Sequence, residues 1–260
     1  MKTEDEKRII ALVRQCGDII LNAERDELAI REKAGSANFV TGYDVYVQEQ
    51  LKKGLAEIVP DAHFIGEEGD QAVFSEQGKF FIVDPIDGTT NFIKDYHMSC
   101  VSVAYVEDGR VCFAVIDNPY LDELFWAKRG EGAYCNGTQI HVSKQPLSNG
   151  IVLFGTSPYN EELAKRSFEM AYDYFCKALD IRRSGSAALD LCAIAAGRAE
   201  LYFELLLSPW DYAAGSLIVE EAGGVITTVE GDPISFDRPC SILASGTPRS
   251  ISNAIKPDVR

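Results

Sequence analysis

The segment DPIDGTTNF at residues 84–92 contains the residue types that metal and phosphate chemistry requires. Two carboxylates, Asp84 and Asp87, lie three residues apart directly after the apolar run FFIV, which reads as a strand. Gly88 permits a close backbone approach, and Thr89 can begin a helix whose free N–H groups face an anion. Carboxylates beside such a helix start can bind a metal ion and a phosphate together. The alternative is that the two aspartates only cap the helix and satisfy the turn.

Two further acidic motifs also lie at the ends of predicted elements. The segment GEEG at 66–69 follows an apolar strand, and WDYAAG at 210–215 begins a predicted helix. Taken alone, Glu67 belongs to a solvated loop, and Asp211 only stabilises the first turn of a helix. If the two strands are neighbours, Glu67 and Asp84 lie at the same sheet edge and can share a cation. Converging oxygen ligands are what Mg²⁺ prefers.

These three motifs together resemble the inositol monophosphatase family. GEE at 66–68, DPIDGTTNF at 84–92 and WDYAAG at 210–215 stand in the family's order with typical spacing, and the resemblance covers residues 33–224. It implies a layered αβαβα sandwich of the α+β class. It also implies a Mg²⁺-dependent phosphomonoesterase with two or three ions in each site, which is often lithium-sensitive and commonly a homodimer.

The resemblance also implies roles for individual residues. The implied metal ligands are Glu67, Asp84, the backbone carbonyl of Ile86, Asp87 and Asp211. Asp44, in a segment that resembles the family's V-T-x-x-D, would orient the attacking water with Thr89, and Glu67 would hold or deprotonate that water. The implied substrate contacts are Asp87, Gly88, Thr89, Gly185, Ser186, Ala187, Glu204 and Asp211. Asn38 departs from the pattern, because the family has aspartate there, near the loop that carries Lys33.

The expected reaction is hydrolysis of the phosphate monoester of a small polyol, foremost inositol 1-phosphate, by metal-activated water without a covalent phosphoenzyme. Fructose 1,6-bisphosphate, 3′-phosphoadenosine 5′-phosphate and histidinol phosphate stay open as substrates, as does a non-catalytic Mg²⁺-binding module. Arg182 and Arg183 precede Gly185 and can either reach a second phosphate or serve as surface or dimer-interface residues.

Composition excludes several other classes of function. The chain has 260 residues and a formal net charge of −15, which argues against a general nucleic-acid binder because phosphates need a basic surface. No apolar run approaches the ~18 residues of a membrane span, and the N-terminus has no apolar signal core. The seven scattered cysteines form no C-x-x-C pair and read as reduced thiols, so we expect a cytoplasmic protein.

The elements that position these motifs follow from apolar periodicity and turn residues. We expect two N-terminal helices, an antiparallel sheet and then an α/β half, with the seam near residues 144–150. The two halves are residues 1–146 and 147–260, and together they form one catalytic unit. The predicted helices are 4–30, 43–58, 160–178, 186–197, 209–222 and a short last helix. The predicted strands are 63–66, 79–83, 98–106, 111–117, 122–127, 151–155, 199–205, 225–229 and 241–244, and residues 34–42 are predicted as a loop.

Overall fold

The computed structural model describes residues 1–24, 28–32, 39–69, 73–158 and 160–247. Within these ranges it contains six α-helices, a short 3-10 helix (Leu147–Asn149) and fourteen strands. The helices are α1 (Thr3–Leu21), α2 (Gly42–Ile58), α3 (Thr89–Ile93), α4 (Glu161–Phe175), α5 (Ala187–Ala195) and α6 (Pro209–Glu221). The strands are β1 (Arg31–Glu32), β2 (Phe39–Val40), β3 (His63–Gly66), β4 (Lys79–Asp87), β5 (Cys100–Glu107), β6 (Arg110–Asn118), β7 (Glu123–Lys128), β8 (Gly132–Cys135), β9 (Thr138–Ile140), β10 (Ile151–Phe154), β11 (Asp180–Arg182), β12 (Leu201–Leu207), β13 (Val225–Thr227) and β14 (Cys240–Ser245).

The strands form two large sheets between layers of helices. One sheet has the order β3-β4-β5-β6-β7-β8-β9, the other has the order β11-β10-β12-β14-β13, and β1 and β2 form a separate pair. Helices α1 and α2 pack on one face of the seven-stranded sheet, α5 and α6 fill the space between the sheets, and α4 covers the far face of the five-stranded sheet. The predicted αβαβα layering is therefore confirmed.

Strand β4 shows why this sheet is buried on both faces. Side chains alternate between the two faces of a strand. Accordingly, Phe81 and Val83 pack into the core under α1 and α2, whereas Phe80 and Ile82 pack into the core shared with α5 and α6. An uninterrupted apolar run is the expected pattern for a strand between two helical layers. None of the helices in the described ranges is long and apolar enough to span a membrane.

The first helix is shorter than the prediction of residues 4–30. It ends at Leu21 because Asn22 caps it, with both the backbone N and the Nδ2 of Asn22 donating to Asp18 O at 3.0 and 2.8 Å. Leu28 is nevertheless buried in the same core as α1, and its carbonyl accepts from Gly42 N at 2.8 Å. Its apolar character therefore reflects tertiary packing of a non-helical segment rather than helical periodicity.

Two other predictions about elements need correction, strand β11 was not predicted, and one predicted helix lies outside the described residues. The sheet is not wholly antiparallel, because β3 pairs parallel to β4. The predicted loop at 34–42 contains β2 and the first residue of α2. Strand β11 was not predicted, since its three residues are too few to show a period. The short last helix falls beyond residue 247.

The seam between the predicted halves lies between β9 and β10. Ile151 N, at the start of β10, donates to Glu200 Oε2 at 2.7 Å, and Ser143 Oγ donates to Glu200 Oε1 at 2.7 Å. The buried Glu200 carboxylate thus holds both ends of the connecting segment. The seven-stranded sheet falls in residues 1–146 and the five-stranded sheet in 147–260, and the division into two halves stays a prediction.

Candidate metal centre and active site

The end of β4 places two aspartates on one cavity. Residues three apart on a regular strand face opposite sides. The pairing of β4 with β5 shifts register between Asp84 and Asp87, and Pro85 occupies that irregularity, where proline is tolerated within sheets. Ile86 N donates to Asp84 Oδ1 at 3.0 Å and closes the bulge. Both carboxylates consequently line the same cavity of about 500 Å³.

The first turn of α6 adds a third carboxylate to this pair. Carboxylate oxygens of Asp84, Asp87 and Asp211 lie within 4.8 Å of one another. Asp211 also caps α6, because its Oδ2 accepts from Ser208 N at 2.7 Å. The capping and cluster interpretations of Asp211 therefore both hold, and the cap fixes the direction of the side chain.

The cluster is electrostatically unfavourable without a cation. Burial raises the pKa of Asp84 and Asp211 well above the usual range, and the neighbouring carboxylates, including Glu67, raise it further. Burial also raises the pKa of Asp87, although hydrogen bonds from Ser186 and the start of α5 partly offset the effect. Hard carboxylate oxygens held this close suit Mg²⁺, which would remove the repulsion.

Strand β3 brings Glu67 to the same edge. Gly66 pairs with Val83 in the parallel register of β3 and β4, so the residue that follows β3 lies beside the end of β4. Gln48 of α2 holds this turn, because its Nε2 donates to Glu68 O at 2.6 Å and its Oε1 accepts from Glu68 N at 2.9 Å. Glu67 is half-buried and lines the cavity, as the neighbouring-strand argument predicts.

Gly88 lies at the junction between β4 and α3. Its φ of 87° is in the left-handed region, and a Cβ there would lie 2.8 Å from Met98 O and 3.3 Å from Gly185 O. Ser99 Oγ donates to Gly88 O at 2.9 Å. Position 88 therefore requires glycine for two reasons, namely its left-handed conformation and the close approach of two other backbone segments.

Thr89 connects the cavity to a buried aspartate. Its hydroxyl lies 3.2 Å from Asp44 Oδ1 and 3.1 Å from Ile86 O, so it can donate to either. Asp44 is buried behind Thr89 and does not line the cavity. Its Oδ2 accepts from Thr41 N at 2.7 Å and from Thr41 Oγ1 at 2.5 Å in the capping box of α2. Asp44 is therefore linked to the cavity through Thr89.

The start of α5 forms the wall opposite β4. Ser186 caps this helix, and its hydroxyl donates to Asp87 Oδ2 at 2.5 Å, while Ala188 N donates to the same oxygen at 2.8 Å. Gly185 has a φ of 86° and packs against Asn91. Gly185, Ser186 and Ala187 all line the cavity, which links the two sheets across the site.

Glu204 of β12 lines the far end of the cavity. Its Oε1 accepts from Ser157 N at 3.0 Å and its Oε2 accepts from Tyr202 Oη at 2.9 Å. Burial raises its pKa, and these hydrogen bonds and the charge of Arg183 partly offset that effect. A Cβ on Gly155 would overlap the Glu204 carboxylate. The carboxylate is thus fixed from three sides.

Two residues of this far end, Ser157 and Asp190, were not assigned to the site from the sequence, and for a third, Arg183, the sequence left open a second-phosphate contact or a surface role. Ser157 follows the end of β10, and the carboxyl ends of strands are where α/β sites form, which is the signal that could have found it. Asp190 is a buried carboxylate within the small, apolar helix α5. Both Arg182 and Arg183 line a neighbouring groove, but only Arg183 also lines the cavity, and Arg182 pairs with Asp180.

Two residues named from the sequence, Lys33 and Asn38, lie outside the described residues. Their neighbour Phe39 in β2 lines the cavity. All seven cysteines are free, and the candidate metal cluster in the described ranges consists of carboxylates alone.

Comparisons with known proteins agree with this geometry. The model of the inositol monophosphatase family matches residues 1–258. Nus factor SuhB of Escherichia coli K12 is 36% identical over 224 residues, which cover 85% of this chain and 84% of that protein. Inositol monophosphatase 1 of Mus musculus is 34% identical over 234 residues, covering 87% and 84%. The crystal structure of the extragenic suppressor protein suhB from Bartonella henselae superposes with a TM-score of 0.89 at 31% identity, covering 97% and 98%.

Proposed function

The chain belongs to the inositol monophosphatase family, and on that premise we propose that it hydrolyses the phosphate monoester of a small polyol, foremost inositol 1-phosphate. The observation that carries this proposal is the convergence of Asp84, Asp87 and Asp211 on one cavity. Hydrolysis of a phosphate monoester needs positive charge beside the phosphate, and the three clustered carboxylates supply it by binding cations.

The metal ligands in this proposal are those that the motifs implied. Two or three Mg²⁺ ions would be held by Glu67, Asp84, the carbonyl of Ile86, Asp87 and Asp211. Bound Mg²⁺ would lower the pKa of a water and neutralise charge on the phosphate and on the leaving oxygen. The fit rests on the oxygen-only donor set and on the mutual repulsion that raises the pKa of the buried aspartates.

The protein's own part in activating water falls to Thr89, Asp44 and Glu67. With its proton donated to Asp44, the Thr89 oxygen offers lone pairs that accept a hydrogen bond from the attacking water. This bond turns the water's own lone pair toward phosphorus. Glu67, which also lines the cavity, would hold the same water or accept a proton from it. Water attack and departure of the alkoxide then occur in line, without a covalent phosphoenzyme.

Backbone groups and the second sheet position the ester. The amides of Gly88 and Thr89 contact the phosphate where its charge develops. Asp87 and Asp211 would contact the substrate through the metal ions that they hold, and Gly185, Ser186, Ala187 and Glu204 would contact the leaving group. Support for these contacts is that all eight residues line one cavity.

The remaining properties in the proposal are those of a lithium-sensitive cytoplasmic homodimer without nucleic-acid or membrane partners. The net charge of −15 supports the absence of nucleic-acid contacts. A groove lined by exposed Tyr96 and Leu121 together with Arg182 and Arg198 offers the surface that a second copy would cover. Light scattering of the purified protein gives its mass and tests the dimer.

The names of the curated relatives favour a second candidate. The Escherichia coli protein at 36% identity is called a Nus factor, so the chain could carry such a role with or without turnover. Fructose 1,6-bisphosphate, 3′-phosphoadenosine 5′-phosphate and histidinol phosphate remain alternative substrates, and a non-catalytic Mg²⁺-binding module remains the alternative to an enzyme.

Phosphate release from these four esters tests the proposal. Each is assayed with Mg²⁺, with EDTA, and with Mg²⁺ plus Li⁺. We expect Mg²⁺-dependent release that is fastest with inositol 1-phosphate, and no release in EDTA. Faster release from another ester would reassign the substrate. No release from a folded protein that binds Mg²⁺ would favour the non-catalytic candidates.

A further inference from the structure

The far end of the active-site cavity contains a cation that the proposed mechanism does not use. Among the described residues that line the cavity, Arg183 is the one basic side chain. It shares this end with Glu204 and with the buried Asp190, whereas the other lining carboxylates belong to the metal cluster. Burial raises the pKa of both Asp190 and Glu204, and the positive charge of Arg183 lowers it in both, so Arg183 lies close to each carboxyl group.

The guanidinium group of Arg183 is anchored at one nitrogen only. Its Nε donates to Thr156 Oγ1 at 3.3 Å. Within the described ranges its two terminal nitrogens make no hydrogen bond and no ion pair. The adjacent Arg182 is different, since its Nη1 lies 2.5 Å from Asp180 Oδ2 and donates to Ile181 O at 2.7 Å. Arg183 thus presents up to four N–H donors at the cavity from a fixed base.

Free donors beside a fixed acceptor suit one class of ligand. A hydroxyl group both donates and accepts a hydrogen bond, so neighbouring hydroxyls on a ring match an arginine next to a carboxylate. A second phosphate suits this end poorly, because Arg183 is the one basic side chain among the described residues that line it. An aromatic leaving group gains nothing from either residue.

We propose that Arg183 is a specificity-determining residue that donates hydrogen bonds to hydroxyl groups of the leaving group. Glu204 accepts hydrogen bonds from the same hydroxyl groups on their other side. This inference rests on the proposed phosphatase function and deepens it, since it assigns the selection of polyol phosphates to a residue outside the metal cluster. Thr156 anchors the Nε of Arg183, and Asp190 lies close enough to feel its charge.

The test compares Arg183→Met with the matched control Arg182→Met. The two residues are adjacent in sequence, both are exposed and both line the groove proposed for a second copy, but only Arg183 lines the cavity. The values of kcat and KM are measured for inositol 1-phosphate, fructose 1,6-bisphosphate and p-nitrophenyl phosphate. Light scattering confirms that both variants keep the wild-type mass.

For Arg183→Met we expect KM for inositol 1-phosphate to rise about tenfold, which corresponds to the loss of one charge-assisted hydrogen bond. The value of kcat changes less than twofold, so the selectivity for inositol 1-phosphate over p-nitrophenyl phosphate falls about tenfold. Arg183→Lys, which keeps a charged donor, restores part of this selectivity. Arg182→Met matches the wild type on all three esters.

Equal losses on inositol 1-phosphate and p-nitrophenyl phosphate would overturn the inference, because they would indicate a structural role. A larger loss on fructose 1,6-bisphosphate would also overturn it, in favour of a second-phosphate contact. If the wild type hydrolyses none of the esters, the proposed function fails, and calorimetric binding of inositol 1-phosphate in Ca²⁺ then decides. A dissociation constant that is the same in wild type and Arg183→Met overturns the inference, and a tenfold weaker one in the variant supports it.

Discussion

Replacing Gly88 with alanine tests whether the close approach of two backbone segments holds the catalytic turn in place. Gly88 has a φ of 87°, and an added Cβ would lie 2.8 Å from the carbonyl oxygen of Met98. The left-handed conformation costs about 1–2 kcal/mol for a residue with a Cβ. Forcing a methyl group against a backbone oxygen adds a steric cost of about 1–3 kcal/mol, which is the usual cost of overpacking a well-packed site. We therefore expect Gly88→Ala to lower the free energy of unfolding by about 2–5 kcal/mol.

Gly223 provides the matched control for this substitution. It follows α6, has the same φ of 87°, and has no atom within 4 Å of an added Cβ in the described structure. Gly223→Ala should therefore show the conformational cost alone, about 1–2 kcal/mol. The difference between the two variants in chemical denaturation isolates the steric contact with Met98.

Activity supplies the second readout for this pair. Because Gly88 lies between Asp87 and Thr89, a shift of its backbone displaces both residues, and a misplacement of about 1 Å can cost a factor of about 100. We expect kcat/KM to fall about 100-fold in Gly88→Ala and to stay near wild type in Gly223→Ala. Equal losses of stability in the two variants, with activity preserved in both, would refute this reasoning.

Two further predictions concern Glu204 and Asp117. The Glu204 carboxylate accepts two hydrogen bonds, from Ser157 N and Tyr202 Oη, whereas the amide in Glu204→Gln accepts at one atom only. We therefore expect kcat/KM for inositol 1-phosphate to fall about tenfold. An equal loss on p-nitrophenyl phosphate would argue against a role of Glu204 at the leaving group. Burial raises the pKa of Asp117 to about 7, against the opposing charge of Arg14. The folded state then holds this proton from about pH 4 to 7 while the unfolded state releases it, so stability falls as pH rises. Relative to Asp117→Asn, the wild type should lose up to about 1.4 kcal/mol per pH unit near pH 5–6 in denaturation, and parallel pH profiles would contradict the burial argument.

The sequence predicted the layers of the fold because most elements carry their own local signals. The Asp108-Gly109 and Asn136-Gly137 turns have positive φ at both residues, as such turns require, and Pro209 begins α6. The predicted end of α1 was wrong, because Leu28 is apolar for its place in the tertiary core and not for a place on the helix. The prediction of a wholly antiparallel sheet was also wrong, because β3 pairs parallel to β4 and strand direction depends on the connection rather than on composition.

The candidate site divides in the same way between local and distant signals. Asp84 and Asp87 could be found because they share one motif with a turn. Asp190 and Ser157 were not assigned to the site, since each reaches the cavity through the packing of α5 and β10 against the other sheet. The separation of Arg183 from Arg182 likewise depends on side-chain direction, which adjacent identical residues do not reveal.

The central claim is that the aspartates of this cluster bind Mg²⁺ for hydrolysis, and Asp87→Asn tests it most directly. Phosphate release from inositol 1-phosphate is measured against Mg²⁺ concentration in the wild type and the variant, with melting temperatures recorded without metal. We expect turnover in the wild type to require Mg²⁺, and the variant to lose at least about 100-fold in kcat/KM while it remains folded. Turnover without Mg²⁺, or near-normal turnover in Asp87→Asn, would contradict the claim.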